Sequence, residues 1–306
     1  MSNPTIKYRY LFAGGGTGGH LYPAIAVAQK ILELQPESEI LFIGTKTKIE
    51  SKVVPSMNFD FKSIWISGFS RQLNMRNLLF PLKLIVSMFQ SLWICIRYKP
   101  QVVIGTGAYV SGPAIWAGTF MGAKGVLLEQ NSFPGITNRI LEKRVRKIFL
   151  SFEDSKKYFK DSEKLEVAGN PIRIDIILSD KAEAKVKYNL DSAKKTLLVV
   201  GGSLGAKTIN EALKNNLEDL LNLNIQILWQ TGEKYYDDYS NNECENVKVL
   251  KYFNDISSAY SATDLIIARA GATTIAEVAQ LGLPVIFVPS PNVAAVSKLS
   301  NKRLRT

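Results

Sequence analysis

Histidine occurs once in this 306-residue chain and cysteine only twice. Cys95 and Cys244 lie far apart and neither belongs to a CxxC pair, so no disulfide framework or zinc site is supported, and the expected setting is reducing and cytoplasmic. Long apolar runs are also missing. Within the most apolar stretch, Leu78–Ile96, the longest uncharged run is Leu84–Ile96, well short of the ~20 residues that cross a bilayer. The opening MSNPTIKYRY is polar and leads into a strand, so no secretory signal is expected. Acidic side chains are outnumbered, leaving a net charge of +11. Such an excess suits nucleic acid, an anionic membrane surface or a phosphate-rich substrate. Its one concentration, Lys143, Arg144, Arg146 and Lys147, reads equally as a solvated helix end.

Apolar residues at 46% and charged ones at 21% describe a soluble globular protein, and the length suits two α/β domains. Short apolar runs alternate with helical patterns, the signature of βαβ units and parallel sheets. The first unit is a strand at Tyr8–Ala13, a glycine loop and a helix from Pro23 to Leu34. Strands follow at Ile40–Ile43, Val102–Ile104, Val126–Leu128 and Ile148–Leu150. The same design reopens with a strand at Thr196–Val200, a loop at Gly201–Gly205 and a helix over Thr208–Leu221. Later strands fall at Ile225–Trp229, Val247–Leu250, Leu265–Ala268 and Val285–Val288. Such duplication predicts two similar domains, 1–168 and 169–306, joined near Asn170–Ile177, where Gly169-Asn170-Pro171 breaks the periodicity. The Leu78–Ile96 stretch, rich in Leu, Ile, Phe and Trp, reads either as a buried core helix or as one resting on a membrane.

Gly14–Gly19 joins a strand to a helix, where glycines admit close backbone approach and the helix N-terminus attracts anions. The loop satisfies GxGxxG, yet the second strand ends Gly44-Thr45-Lys46 without the acidic residue that holds a nicotinamide ribose. A dehydrogenase is disfavoured. Gly201–Thr208 resembles a Walker A loop but has Ala206 where the glycine before the lysine belongs, so an ATPase is disfavoured and phosphate binding remains. His20 opens the first helix, where a neutral imidazole can take a proton. Arg269–Glu277 follows a strand and opens a helix closed by Gly282, with Thr273 or Thr274 as its cap. Glu277 reads either as a ribose-diol acceptor or as a favourable first-turn acid.

In order, Gly15–His20 with Pro23-Ala24, Gly107–Pro113, Glu129-Gln130-Asn131, Gly169–Arg173, Gly201–Ala206 and Arg269–Glu277 resemble the motifs of the MurG family of N-acetylglucosaminyltransferases, over about residues 8 to 295. The resemblance implies a GT-B fold, two Rossmann-like domains with parallel sheets facing across a cleft. It implies an N-terminal domain for the lipid acceptor and a C-terminal one for UDP-N-acetylglucosamine. The reaction implied moves N-acetylglucosamine, with inversion, to the C4 hydroxyl of N-acetylmuramic acid on undecaprenyl-pyrophosphoryl-linked lipid I. The implied base is His20, with Glu129 as rival. The implied donor site is Thr17, Gly18, Gly19, Asn131, Arg173, Ser203, Phe253, Ala272, Thr273, Thr274, Ile275, Ala276 and Glu277. Phe253 stands where the family carries an aliphatic residue.

No DxD-like metal site is evident, so neither a metal nor a cofactor is expected, and no nucleic-acid partner. The resemblance also implies peripheral docking on the inner face of the plasma membrane through an anionic lipid surface. The candidates are Leu78, Leu79, Phe80, Leu82 and Trp93 with Arg76, Lys83 and Arg97. After Ala295 the chain departs from the family, ending in the basic Val296–Thr306 without the glutamines that read the sugar, as a truncation or frame shift would leave it. Alternatives are therefore an inactive, binding-only homologue, or a GT-B transferase with another acceptor such as diacylglycerol or a polyketide.

Overall fold

The computed structural model describes residues 7–68, 78–202 and 204–289. Arg76, Ser203 and the tail Val296–Thr306 lie outside the described residues. The chain divides into two compact units, Met1–Arg173 and Ile174–Thr306.

Unit 1 runs β1 (Arg9–Ala13), α1 (Gly18–Leu34), β2 (Glu39–Gly44), α2 (Glu50–Ser56), β3 (Asp60–Ser63), α3 (Phe80–Tyr98), β4 (Val102–Gly105), α4 (Ser111–Phe120), β5 (Lys124–Glu129), α5 (Ile136–Leu141), β6 (Lys147–Leu150) and β7 (Leu165–Val167). The strands form one parallel sheet in the order β3-β2-β1-β4-β5-β6-β7. Alternate residues of each strand serve opposite faces, so both faces must be apolar when helices cover both. Leu11 and Ala13 join one core with Leu41 and Ile43. Phe12 and Phe42 join the other, their rings stacked 5.0 Å apart beneath α1 residues Leu21, Ala24 and Ile25.

Unit 2 runs α6 (Lys181–Lys187), β8 (Lys195–Val200), α7 (Lys207–Asn215), α8 (Leu217–Leu221), β9 (Ile225–Gln230), α9 (Tyr236–Tyr239), β10 (Val247–Leu250), α10 (Ile256–Ser261), β11 (Leu265–Arg269), α11 (Ala272–Leu281) and β12 (Val285–Val288). Its parallel sheet has the order β10-β9-β8-β11-β12. Leu198 and Val200 face one core, Leu197 and Val199 the other. Asp264 ties the strand starts together, accepting from the Thr196 amide at 2.8 Å, Lys181 Nζ at 2.8 Å and Lys195 Nζ at 3.1 Å. Burial alone would raise its pKa, but these donors outweigh burial and hold it at about 2. A depressed carboxylate contributes stability above its unfolded pKa, near 4, and loses it as pH falls through the folded value. Asp264→Asn is therefore expected to cost roughly 1–2 kcal/mol at neutral pH. The gap from the parent chain should close between about pH 4 and pH 2 in thermal melts across that range.

Several elements depart from expectation. α1 begins at Gly18 rather than Pro23, because the Thr17 carbonyl already accepts from the His20 and Leu21 amides, and Pro23 sits inside the helix. The helix expected over Thr208–Leu221 breaks at Asn216, whose Nδ2 donates to the Ala212 carbonyl at 2.8 Å. Gly282 closes α11 with φ 65 as expected, but the start is capped by extended Gly271, with Thr273 and Thr274 already helical.

The core-helix reading of Leu78–Ile96 is overturned. α3 buries small residues, Ser87, Ser91 and Cys95 with Ile94, and packs that face against α4. Its large side chains point outward: Leu82, Ile85, Phe89, Trp93 and Ile96 form an exposed stripe, flanked by exposed Leu78 and Leu79. Among the described residues α3 is long and apolar enough to cross a membrane by length and composition alone. Lys83 lies 5.7 Å from the Trp65 ring centre, and the Arg97 guanidinium sits 4.2 Å over Trp93.

Candidate active site

In unit 1 the strand order reverses at β1, with β2 on one side and β4 on the other. Loops leaving the carboxyl ends of β1 and β4 diverge there, which is where open α/β sheets take ligands. His20, in the first turn of α1, links the two loops. Its Nδ1 lies 2.8 Å from the Thr106 carbonyl and 3.2 Å from Gln130 Oε1. A carbonyl only accepts, so Nδ1 carries the hydrogen and the neutral ring leaves the Nε2 lone pair unprotonated. Nε2 makes no hydrogen bond among the described residues. Thr106 Oγ1 donates back to the His20 carbonyl at 2.7 Å, so ring and backbone are held by one residue.

Gly107 makes room for this ring. Its φ is +96, and a Cβ there would lie 2.8 Å from His20 Nδ1. Gly107→Ala is expected to lower kcat about tenfold by tilting the imidazole, with little change in KM. Steady-state kinetics beside a thermal melt would check it; unchanged kcat counts against the imidazole's role.

Glu129, the rival base, is spent on architecture. It is buried, and its Oε1 accepts from the Asn131 amide at 2.9 Å and Asn131 Nδ2 at 3.0 Å. Its Oε2 accepts from the Gly135 amide at 3.0 Å and Asn138 Nδ2 at 2.9 Å. Four donors on one carboxylate shape the 130–135 loop and aim Asn131, and they argue against proton abstraction by this group. Arg173 is buried with its guanidinium 4.5 Å over the Tyr22 ring of α1. Thr17, Gly18, Gly19, His20, Glu129, Asn131 and Arg173 thus gather about the α1 N-terminus and the end of β5.

Unit 2 repeats the reversal at β8, between β9 and β11. Arg269 ends β11 and braces the loops, donating to the Pro289 carbonyl at 2.8 Å and to Thr208 Oγ1 at 2.6 Å. Ala272, Thr273, Thr274, Ile275, Ala276 and Glu277 are the first six residues of α11. Glu277 is buried and accepts from the Tyr260 hydroxyl at 2.9 Å. Phe253 is buried edge-on to Tyr188, and its amide donates to Gln230 Oε1 at 3.1 Å. Gln230 Nε2 in turn donates to the Gly202 carbonyl at 3.2 Å, coupling the second glycine turn to Phe253. Thr106, Asn138 and Gln230 were not anticipated, and Gln130 only as the middle of the Glu129-Gln130-Asn131 motif; a polar residue ending an apolar strand, as Gln230 ends β9, is the one further signal available. A separate apolar groove of about 600 Å³, lined by Lys62, Phe89, Leu92, Trp93 and Ile96 among others, shares no residue with these loops.

Two open parallel sheets in succession, each reversing order beside a glycine turn, are the halves of the GT-B fold of glycosyltransferases. Residues 10–150 match the glycosyltransferase family 28 N-terminal domain and residues 196–302 its C-terminal domain. Within that family the chain belongs with the MurG enzymes. It is 42% identical over 298 residues to the UDP-N-acetylglucosamine–N-acetylmuramyl-(pentapeptide) pyrophosphoryl-undecaprenol N-acetylglucosamine transferase of Flavobacterium psychrophilum, covering 96% of this chain and 81% of the relative. The Clostridioides difficile protein of the same name is 41% identical, over 94% of this chain and 72% of its own length. The crystal structure of Acinetobacter baumannii MurG superposes with a TM-score of 0.65 and 26% identity, covering 97% of this chain and 83% of that one.

Proposed function

We propose that this chain transfers N-acetylglucosamine from UDP-N-acetylglucosamine to the C4 hydroxyl of N-acetylmuramic acid in undecaprenyl-pyrophosphoryl-linked lipid I, inverting the anomeric centre. The single observation that carries the mechanism is the His20 tautomer, with Nδ1–H held by a carbonyl and Nε2 open. Nε2 takes the proton as the C4 oxygen attacks the anomeric carbon and the bond to UDP breaks. The Thr106 carbonyl and Gln130 Oε1 then face the N–H of a positive imidazolium, which lowers the cost of forming it. Thr17, Gly18 and Gly19 with Arg173 offset charge on the departing diphosphate, and Ser203 is assigned to phosphate binding by its place in the second glycine-rich motif. Glu129 positions Asn131 for the donor. Phe253 and Ala272–Glu277 hold the uridine, Glu277 accepting from the ribose.

The N-terminal domain, 1–168, takes the lipid acceptor, and the C-terminal domain, 169–306, the UDP-sugar. Peripheral attachment to the cytoplasmic face of the inner membrane, through anionic lipid, is supported by the outward apolar stripe of α3 and its basic flanks Lys83 and Arg97. UDP release by the purified chain, with and without lipid I, tests the reaction. Release that does not depend on lipid I would sink it.

A further inference from the structure

We infer that Glu50 is a positioning residue for transfer, a buried carboxylate that fixes the first glycine turn and through it His20. Glu50 opens α2 and is completely buried. Its Oε2 accepts from the Gly16 amide at 2.9 Å. Its Oε1 accepts from the Thr45 amide at 2.9 Å and from Thr45 Oγ1 at 2.7 Å. Among the described residues no cation pairs with it.

A buried charge without a counter-ion is costly unless hydrogen bonds replace its water, and here three donors do so. An acid in the first turn of a helix is ordinarily a partner for that helix's own amides. The carboxylate of Glu50 is turned away from them, toward the end of β2 and the loop after β1. The turn lies flat against it: a Cβ on Gly15 would fall 2.4 Å from the carboxylate carbon. Gly16 has φ +80, and with its N–H pinned inward the chain enters Thr17, whose carbonyl accepts from the His20 and Leu21 amides. Glu50, Gly16, Thr17 and His20 are therefore one mechanical series, reaching the proposed base from a fully buried carboxylate behind the turn.

This role rests on the proposed transfer reaction. The test is Glu50→Gln, which keeps the side-chain shape. A carboxamide has one acceptor oxygen and one NH2 group, so either the Gly16 or the Thr45 amide must face another donor. The expected result is kcat lower by about tenfold or more with KM for UDP-N-acetylglucosamine within about threefold. Hydrogen exchange should quicken in residues 14–20 while β1 and β2 stay protected. Glu50→Asp, which keeps the charge but shortens the reach, should recover thermal stability before it recovers kcat. Unchanged kcat and exchange in Glu50→Gln would overturn the assignment. So would loss of protection throughout unit 1, which marks general destabilisation. Turnover of the parent chain in the same assay separates the two ideas: an inactive parent counts against the reaction, an active parent with an indifferent Glu50→Gln counts against Glu50.

Discussion

His20→Ala is expected to lower turnover by about 10²–10⁴-fold, the usual contribution of a positioned general base. The effect should fall on kcat, with KM for UDP-N-acetylglucosamine little changed, because the proposed base would act only as the acceptor hydroxyl gives up its proton. The tautomer sharpens the expectation. With Nδ1–H donated to the Thr106 carbonyl, only Nε2 can take a proton, and under the proposed mechanism protonating it would disable the enzyme. The acid limb of the pH–kcat profile should therefore disappear in His20→Ala along with most of the rate. Near-native turnover, or a surviving acid limb of the same shape, would remove His20 as the base. Glu129→Gln distinguishes the rival. A base would be lost outright, whereas a loop brace leaves the acid limb in place while the Asn131 contacts loosen.

Much of the fold could be read from the chain because a parallel sheet covered on both faces writes its strands as unbroken apolar runs. β1, β2 and β8 carry such runs, Tyr10–Ala13, Ile40–Ile43 and Leu197–Val200. The edge strands β3 and β7 were not legible for the converse reason: Asp60–Ser63 and Leu165–Val167 are mostly exposed and carry no apolar run. α3 misled composition because its interior face is built from serines and a cysteine. The large apolar residues that suggest a core are the ones it turns outward.

The glycine turns and His20 were legible as motifs, yet what gives them chemical direction was not. The His20 tautomer depends on a carbonyl 86 residues away, and Gly16 on a carboxylate 34 residues away that looks in sequence like an ordinary surface acid. Thr273 and Thr274 were expected as caps from residue type, but Gly271 in extended conformation occupies that position. Local propensity sees neighbours along the chain; these contacts are made across the sheet edge.

The second large effect concerns the membrane. Replacing Phe89 and Trp93 together by Asp is expected to weaken binding to vesicles containing anionic lipid by about 30–500-fold. Fully burying one large apolar side chain contributes roughly 1.5–3 kcal/mol. Phe89 is 68% exposed and Trp93 54%, so roughly half to two-thirds of that gain is still available at each. Two such terms sum to about 2–4 kcal/mol, and every 1.4 kcal/mol is tenfold. Lys83 and Arg97 would add about 1 kcal/mol each near an anionic surface, a contribution that salt removes. Arg97 already sits over Trp93, so an Asp at 93 would also draw that charge into an ion pair and away from lipid. Vesicle co-sedimentation at low and high ionic strength, with anionic and with neutral lipid, separates the two contributions. The apolar part should persist in salt and vanish in the double variant, whereas the basic part should vanish in salt and be weakened, not abolished, in the double variant. Equal binding to neutral vesicles would remove the basic contribution, and a double variant that binds like the parent chain would mean the outward face of α3 does not meet lipid.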